Sequence, residues 1–190
     1  MDISSHCVQA YRKTRHLKLA AEQVGIPWQT LYVHLKRVGE PVMGDKSRYG
    51  SDSDKLAVFA ESQFERLVPV AENQNAGQFQ AKVDFIIHGH AVDVKVSSLK
   101  KYLKRSAAKR WSFCLRKQEA YADFFVCFCM KEGEISKTCL LIPCDVCRHY
   151  STLSLPEHGG KWSDYLIDCN DLANFFEDLP HKLPLHTESE

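Results

Sequence analysis

The sequence lacks any long hydrophobic run, and this absence is the first constraint on the protein. The N-terminal segment has no apolar stretch typical of a secretory signal peptide, and no run approaches the about 20 apolar residues of a membrane-spanning helix. We therefore expect a cytoplasmic protein, neither secreted nor membrane-inserted, whose eight cysteines stay reduced. With 190 residues, 44% of them hydrophobic, the chain can form a small helical module and a larger core.

Acidic residues are absent from one segment of the chain. Between Lys95 and Lys117 there are nine lysines and arginines but no aspartate or glutamate, whereas the whole chain has a net charge of only +1. A solvated helix face is the common outcome for a charge run, but such faces usually mix the two signs. We therefore favour a basic helix that contacts the phosphates of a polyanion.

A complete set of zinc ligands is also missing. Cys144 and Cys147 have the spacing of a ligand pair, with Cys139 upstream and His149 downstream, but a second such pair does not occur. Zinc is therefore not expected as a cofactor.

A hairpin is the most informative feature that is present. Two apolar runs, 82–87 and 91–96, flank His88-Gly89, a break typical of a tight turn. Alternate residues of a strand share a face, so Asp93 and Lys95 point one way and Val92, Val94 and Val96 point the other. The valines predict a buried face, and the two charged residues predict a face where a site can form.

The hairpin carries residue types that suit phosphodiester chemistry. Asp84 lies on the first strand and Asp93 on the second, and paired carboxylates bind hard divalent cations. A nearby lysine such as Lys95 can stabilise or deprotonate a nucleophile. The alternative is an ordinary half-exposed strand, since a single Asp-x-Lys pattern is weakly specific.

The flanking segments predict a helix and a first strand. Ser53 is the expected N-cap of a helix whose apolar residues, at helical spacing, are Leu56, Ala60, Phe64 and Leu67. Glu61 and Glu65 share one flank of that helix. The run 67–71 predicts a strand, which Pro69 marks as an edge or strand-end element.

These elements together resemble the core of the PD-(D/E)xK nuclease superfamily. The resemblance covers residues 53–145 and consists of a helix, a strand, the hairpin, a basic helix and the apolar strand 123–129. It implies a restriction-endonuclease-like α/β fold, in which a central mixed β-sheet is flanked by helices. It also implies a Mg²⁺-dependent nuclease, in which Mn²⁺ can substitute. The chain has Val83 where many members have proline before the first aspartate.

The resemblance assigns roles to individual residues. Asp84 and Asp93 match the acidic metal ligands, Lys95 matches the motif lysine, and Glu61 matches the acidic residue of the first helix, with Glu65 as the alternative. The carbonyl of Val94 is expected to complete the metal shell. Gln118 and Tyr121 are similar to the Gln–Tyr motif of the exonuclease-like branch, although the tyrosine comes one residue early, and Gln118 is a possible supporting residue.

Residues 17–38 resemble the helix-turn-helix of DNA-binding proteins. Ala20 and Ala21 begin an apolar face, Gly25 supplies a sharp turn, and the face continues through Leu31, Leu35 and Val38. A helix over 5–14 is expected to pack across the pair. The resemblance implies that the second helix enters the major groove, and an ordinary helical hairpin is the alternative. The residues expected to contact DNA are Trp28, Gln29, Thr30, Tyr32, Lys36 and Arg37, joined in the basic segment by Lys100, Lys101, Lys104 and Arg105.

The expected organisation is a helix-turn-helix module over 1–40, a linker over 41–52, a nuclease-like core over 53–180 and a tail over 181–190. A strand over 139–142 and a helix over 161–178 are predicted in the C-terminal part. The predicted function is that of a DNA endonuclease of restriction or homing type, acting on duplex DNA as a homodimer. The alternatives are a non-catalytic DNA-binding regulator and an exonuclease or junction resolvase.

Overall fold

The computed structural model describes residues 2–40, 42, 50–75, 81–101, 108–115 and 121–182. The protein is of mixed α/β class, and the chain divides into two compact units with a boundary near Lys55. Within these described ranges, no helix combines the length and the apolar character needed to cross a membrane.

Three helices form the N-terminal unit: α1 (Ile3–Thr14), α2 (Leu17–Val24) and α3 (Trp28–Arg37). The predicted turn is present, because Gly25 ends α2 with φ of 76° and its N–H donates to the carbonyl of Ala21. The enclosed residues of the unit are Cys7, Ala10, Tyr11, Ala20, Ala21, Leu31 and Leu35. Val38 was predicted on this apolar face, and that prediction is wrong, because α3 ends at Arg37 and Val38 is exposed.

An ion pair between Arg12 and Glu40 connects the end of the helical unit to α1. The guanidinium of Arg12 donates from Nε and Nη2 to the buried carboxylate of Glu40, at 3.0 and 2.7 Å. The Arg12 hydrogen bond holds the pKa of Glu40 below its usual value. Arg12 therefore fixes the end of the module to α1.

Helix α4 spans Asp52–Leu67 and begins earlier than predicted. Ser51 caps it, since the Ser51 hydroxyl accepts from the Asp54 N–H at 3.2 Å while the Asp54 carboxylate accepts from the Ser51 N–H at 2.9 Å. The prediction of Ser53 as N-cap is therefore wrong. The predicted strand over 67–71 is also wrong, because buried Val68 continues the helical spacing and its N–H donates to the carbonyl of Phe64.

Nine strands form two sheets in the described residues. In chain order they are β1 (Glu72–Asn73), β2 (Phe85–Ile87), β3 (His90–Ser98), β4 (Lys100–Lys101), β5 (Lys109–Cys114), β6 (Phe124–Lys131), β7 (Glu134–Pro143), β8 (Thr152–Pro156) and β9 (Leu166–Asp168). The larger sheet has the order β1-β2-β3-β6-β7-β9, and the smaller has the order β4-β5-β8. The pair β3–β6 is parallel and the other pairs are antiparallel, so the larger sheet is mixed.

The larger sheet has an apolar core on each face. On one face, Phe64 of α4 packs with Phe85 and with Phe176 of α6 (Leu172–Glu177). On the other, Trp111 and Phe113 of β5 contribute to a core that also includes the short helix α5 (Cys144–Cys147). The strand β3 is thereby covered on both sides, which makes its charged residues partly or wholly buried.

The basic segment does not form the predicted helix in its described part. It forms β4 and β5 instead, while residues 102–107 and 116–117 lie outside the described residues. The reason is a period of two: Trp111 and Phe113 are buried, whereas Ser112 between them is exposed. An alternating pattern of this kind stabilises a strand whose one face covers a core.

The prediction of one helix over 161–178 is also wrong. A 3-10 turn (Ser163–Tyr165), strand β9 and a second 3-10 turn (Cys169–Asp171) precede α6. Leu166 and Ile167 pair with β7 and extend the sheet, which overrides the helical spacing. The strands predicted over 123–129 and 139–142 are present within β6 and β7.

The C-terminal residues hold the turn between β2 and β3, and we name residues 180–182 the C-terminal strap. The predicted hairpin is present, with His88 and Gly89 at φ of 50° and 82°. The Lys182 N–H donates to the carbonyl of His88 at 2.8 Å, and its ammonium contacts Asp123 at 2.7 Å. The predicted tail therefore does not begin at residue 181, and residues 183–190 lie outside the described residues.

Candidate functional site

The hairpin brings Asp84, Asp93 and Lys95 together. Asp84 directly precedes β2, whose first residue Phe85 pairs with Val92 of β3. The Asp84 Oδ2 atom accepts from the backbone N–H of Val94 at 2.8 Å. This bond joins the end of one strand to the middle of the next, so Asp84 stands beside the strand that carries Asp93 and Lys95.

Asp93 is the most deeply buried charged residue of this group. It is 1% exposed, and its carboxylate forms an ion pair with the Lys95 ammonium, whose side chain is 19% exposed. Val92 and Val94 are buried on the other face, as their alternation predicts. The valines fix the strand, and the arrangement leaves the lysine as the accessible end of the ion pair.

Burial and a neighbouring carboxylate control the ionisation of Asp93. Removal from water raises its pKa most strongly, and the charge of Asp84 raises it further. The Lys95 ammonium lowers the pKa, but the balance lies near 7, well above the usual value of 3.8. A buried carboxylate beside a second carboxylate is a site where added positive charge is favourable.

Asn75 links the hairpin to helix α4. Its side-chain amide donates to Asp84 Oδ1 at 3.0 Å and lies 3.5 Å from Glu61 Oε2, at the outer limit of a hydrogen bond. The structure thus connects Glu61 to Asp84, whereas Glu65, one turn further along α4, is exposed. Sequence reasoning missed Asn75, because an asparagine in a polar turn carries no local signal of a partner on another strand.

The oxygen atoms of this cluster are those that a hard cation prefers. Asp84, Asp93 and Glu61 supply carboxylates, and Val94 can supply its carbonyl, since the N–H and C=O of one strand residue leave the strand on the same side. No group of three or more histidine, cysteine or acidic side chains in the described part is already arranged to hold a metal. Mg²⁺ often uses one or two carboxylates and fills its shell with water, so the donor set fits this ion.

The cysteines near the suggested zinc spacing are separated by the sheet. Cys139 lies in the core beside α4, where it contacts Cys169, while Cys144 and Cys147 lie in the core on the opposite face. His149 is exposed. The spacing in sequence therefore does not bring these ligands to one point.

The DNA-contacting residues predicted on α3 are exposed in the helical unit. They are Trp28, Gln29, Thr30, Tyr32, Lys36 and Arg37. The Lys36 ammonium lies 5.6 Å from the centroid of the Tyr32 ring, within reach of a cation–π interaction. Lys100 and Lys101 are exposed on β4, whereas Lys104, Arg105 and Gln118 lie outside the described residues.

Comparisons with known proteins do not identify a family for the chain. Neither the protein-family models nor the curated proteins include a match to the chain. The features of the protein that bear on its function are the hairpin cluster and the exposed face of α3.

Proposed function

We propose that the protein is a Mg²⁺-dependent deoxyribonuclease that hydrolyses phosphodiester bonds of duplex DNA. The observation that carries the proposal is the buried Asp93 carboxylate, which lies beside Asp84 and is ion-paired with Lys95. A buried carboxylate whose charged form is disfavoured costs stability, and such a cost is common at catalytic sites. The order of α4, β1, β2, β3 and a strand parallel to β3 supports a restriction-endonuclease-like core.

Each residue of the cluster has a distinct role in this proposal. Asp84 and Asp93 would hold Mg²⁺, or Mn²⁺ in its place, and the Val94 carbonyl and Glu61 would complete the donor set. The ion supplies neutralisation of charge on the scissile phosphate and a lower pKa for an attacking water. Lys95 would orient an attacking water and offset negative charge as the phosphate is attacked, and only its neutral form could remove a proton from that water.

The helical unit provides the DNA-targeting part of the proposal. The exposed side of α3 presents Gln29 near its N-terminal end, where a side chain of this type can read an adenine edge in the major groove. Gln29→Ala should weaken or relax site choice by about 1–3 kcal/mol while leaving hydrolysis intact. Binding to a selected duplex library measures this change, and unchanged selection would assign α3 another role.

Cleavage of both strands by one site per chain calls for a symmetric pair, so we extend the proposal to a homodimer on DNA. Light scattering of the protein with and without duplex tests the assembly. A monodisperse monomer in both conditions would contradict this part and leave single-strand nicking as the expected activity.

Supercoiled plasmid provides the direct test of hydrolysis. The wild-type protein should nick or linearise the circle with Mg²⁺ and not with EDTA, and Asp93→Asn should remove the activity. Asp145→Asn is the matched control, because it removes an exposed carboxylate from α5, where Asp145 pairs only with Arg148 in the described contacts. Discrete fragments would demonstrate sequence choice.

The other outcomes separate the alternative functions. An intact circle, bound equally well by wild type and Asp93→Asn, would favour a DNA-binding regulator on a nuclease-like scaffold. The ion pair between Asp93 and Lys95 is the observation that favours this second candidate, since it already neutralises the carboxylate. Hydrolysis confined to linear or branched DNA would favour an exonuclease or junction resolvase.

A further inference from the structure

The smaller sheet has a polar face opposite its buried one. Trp111 and Phe113 of β5 and Leu153 and Leu155 of β8 are buried, so the residues that alternate with them point outward. These outward residues, together with Lys100 of β4, form what we name the basic outer face: Lys100, Arg110, Ser112, Cys114, Thr152 and Ser154. In the described residues this face contains no carboxylate.

Like charges lie directly opposite each other at one side of this sheet. Lys100 is the register partner of Arg110 on the basic outer face. Lys101 is the register partner of Lys109, and this pair lies on the opposite face because neighbouring residues of a strand alternate. Like charges directly opposite on antiparallel strands are destabilising. An anion placed between the side chains of Lys100 and Arg110 converts this repulsion into attraction, so this pair suits a polyanionic ligand.

Hydrogen-bond donors accompany the cations. Arg110 Nη1 lies 3.4 Å from the hydroxyl of Ser154, which orients the guanidinium on the outer face. Ser112 and Thr152 are exposed on neighbouring strands. The nearest carboxylate by sequence, Glu157, is paired with Lys131 at 2.8 Å. Hydroxyls and cations are the groups that bind phosphate oxygens in nucleic-acid complexes.

We propose that the basic outer face binds the sugar–phosphate backbone of a nucleic acid, as a second contact distinct from that of α3. The evenly spaced phosphates of a nucleic-acid strand match cations and hydroxyls that lie on neighbouring strands. An acidic peptide and an anionic membrane are the competing acceptors that the test separates. This binding does not depend on catalysis. It supplies affinity that varies with salt and carries little sequence information.

One continuous segment of the chain, β3 followed by β4, connects this face to the candidate active site. Only Leu99 separates β3 from β4, and the Ser112 N–H donates to the Ser97 hydroxyl of β3 at 2.9 Å. From Lys95 to Lys100 an extended strand covers about 17 Å, which corresponds to roughly five nucleotides of one strand. The inference that the bound backbone continues to Asp84 and Asp93 rests on the proposed nuclease function.

Binding of the full-length protein in EDTA tests the proposal without hydrolysis. A fluorescent 20-base-pair duplex is titrated at several salt concentrations, with Lys100→Glu and Ser112→Glu as variants. Lys137→Glu is the matched control, because Lys137 is also an exposed lysine on a strand but lies on β7. Circular dichroism spectra and melting curves confirm that each variant is folded.

We expect Lys100→Glu to weaken duplex binding by roughly tenfold and to reduce the slope of log affinity against log salt by about 1. Ser112→Glu should act in the same direction, and Lys137→Glu should change affinity less than twofold. Equal effects of Lys100→Glu and Lys137→Glu would overturn the proposal, because they would reflect net charge alone. Tighter binding to polyglutamate or to phosphatidylserine vesicles than to the duplex would also overturn it.

Different experimental results would reject the nuclease proposal and the proposal for the basic outer face. A salt-dependent loss of binding in Lys100→Glu, without any Mg²⁺-dependent hydrolysis by the wild type, would keep the basic outer face and reject the nuclease. Hydrolysis lost in Asp93→Asn, with binding unchanged in Lys100→Glu and Ser112→Glu, would keep the nuclease and reject the face.

Discussion

Two neighbouring regions of one extended segment differ in how their charged side chains are arranged. On β3, Asp93 is buried and ion-paired with Lys95, and Asp84 stands close by. On β4, a few residues later, Lys100 and Lys101 are exposed and face cations on β5. In the first region charges of opposite sign are enclosed by the protein. In the second, charges of one sign are presented to the solvent.

The difference indicates that each arrangement suits a different kind of ligand. Enclosed carboxylates have an unfavourable charged state that a small cation can relieve, because burial removes much of the water that would otherwise solvate the charge. Exposed like charges have a repulsion that an extended anion can relieve over several contacts. A change that alters one region should therefore affect chemistry and leave binding intact, and a change in the other should do the reverse.

The largest effect is expected for Asp84→Ala. Loss of a carboxylate that holds the cation should lower the rate of DNA hydrolysis by about a thousandfold or more, which corresponds to at least about 4 kcal/mol of transition-state stabilisation. Single-turnover hydrolysis of a labelled duplex measures the rate. Duplex affinity in EDTA should remain within about twofold, since phosphate contacts dominate that affinity. A large loss of affinity would mean that the two regions are not separable.

Asp93→Asn should stabilise the protein when no metal is present. A buried carboxylate whose pKa is raised to about 7 is disfavoured in the folded state wherever the unfolded chain is ionised. The wild type therefore loses stability as the pH rises from about 4 to about 7, and the variant does not. The raised pKa sets the expected gain in the free energy of unfolding at pH 8 at no more than about 4 kcal/mol.

Urea denaturation of both proteins at pH 4.5 and pH 8 in EDTA checks this prediction. The gain should be smaller at the lower pH. A variant that is less stable than the wild type at pH 8 would show that the ion pair with Lys95 outweighs the cost of burial.

Asn75→Ala should have an intermediate effect on chemistry. Asn75 donates to Asp84 and lies beside Glu61, so its loss removes a positioning contact and leaves the carboxylates in place. Such outer contacts typically contribute about 10–100-fold in metal affinity or activity. The readout is the Mg²⁺ concentration that gives half-maximal hydrolysis, which should rise. Asn174→Ala, in α6, is the control, and an equal rise in both variants would reject the positioning role.

The smallest effect is expected for Lys100→Gln in the second region of the comparison. Removing one cation of the like-charged pair with Arg110 should reduce the salt slope of duplex binding by about 1 and change the affinity only a few-fold. Hydrolysis at saturating protein should be unchanged. A change in the hydrolysis rate at saturation would show that the basic strands also position the reacting phosphate.

Local signals predicted the parts of the fold that local chemistry determines. The β2–β3 hairpin follows from His88 and Gly89, which both adopt left-handed backbone angles at the turn. The turn between α2 and α3 follows from Gly25, which has the same property. The close approach of Asp84, Asp93 and Lys95 then follows from the alternation of side chains along the hairpin.

Contacts between distant segments decided the parts that were missed. The helical spacing of residues 161–178 is real, but Leu166 and Ile167 gain more by pairing with β7. The basic segment forms strands because Trp111 and Phe113 cover a core that the sequence does not reveal. Asn75 joins the site only because β1 places it near α4 and Asp84. Each of these outcomes depends on a partner far along the chain.

The C-terminal strap gives the site hairpin a dependence on the end of the described chain. His90 contacts the carbonyl of Pro180, 90 positions away, and a Cβ atom on Gly89 would lie 3.3 Å from Lys182. Closing a loop of this length costs chain entropy, which the contacts of the strap must offset. The strands that carry Asp84 and Asp93 can pair through their local turn, whereas the contacts of that turn with residues 180–182 become possible only once that segment has been synthesised. The strap therefore couples the stability of the site hairpin to a segment far along the chain.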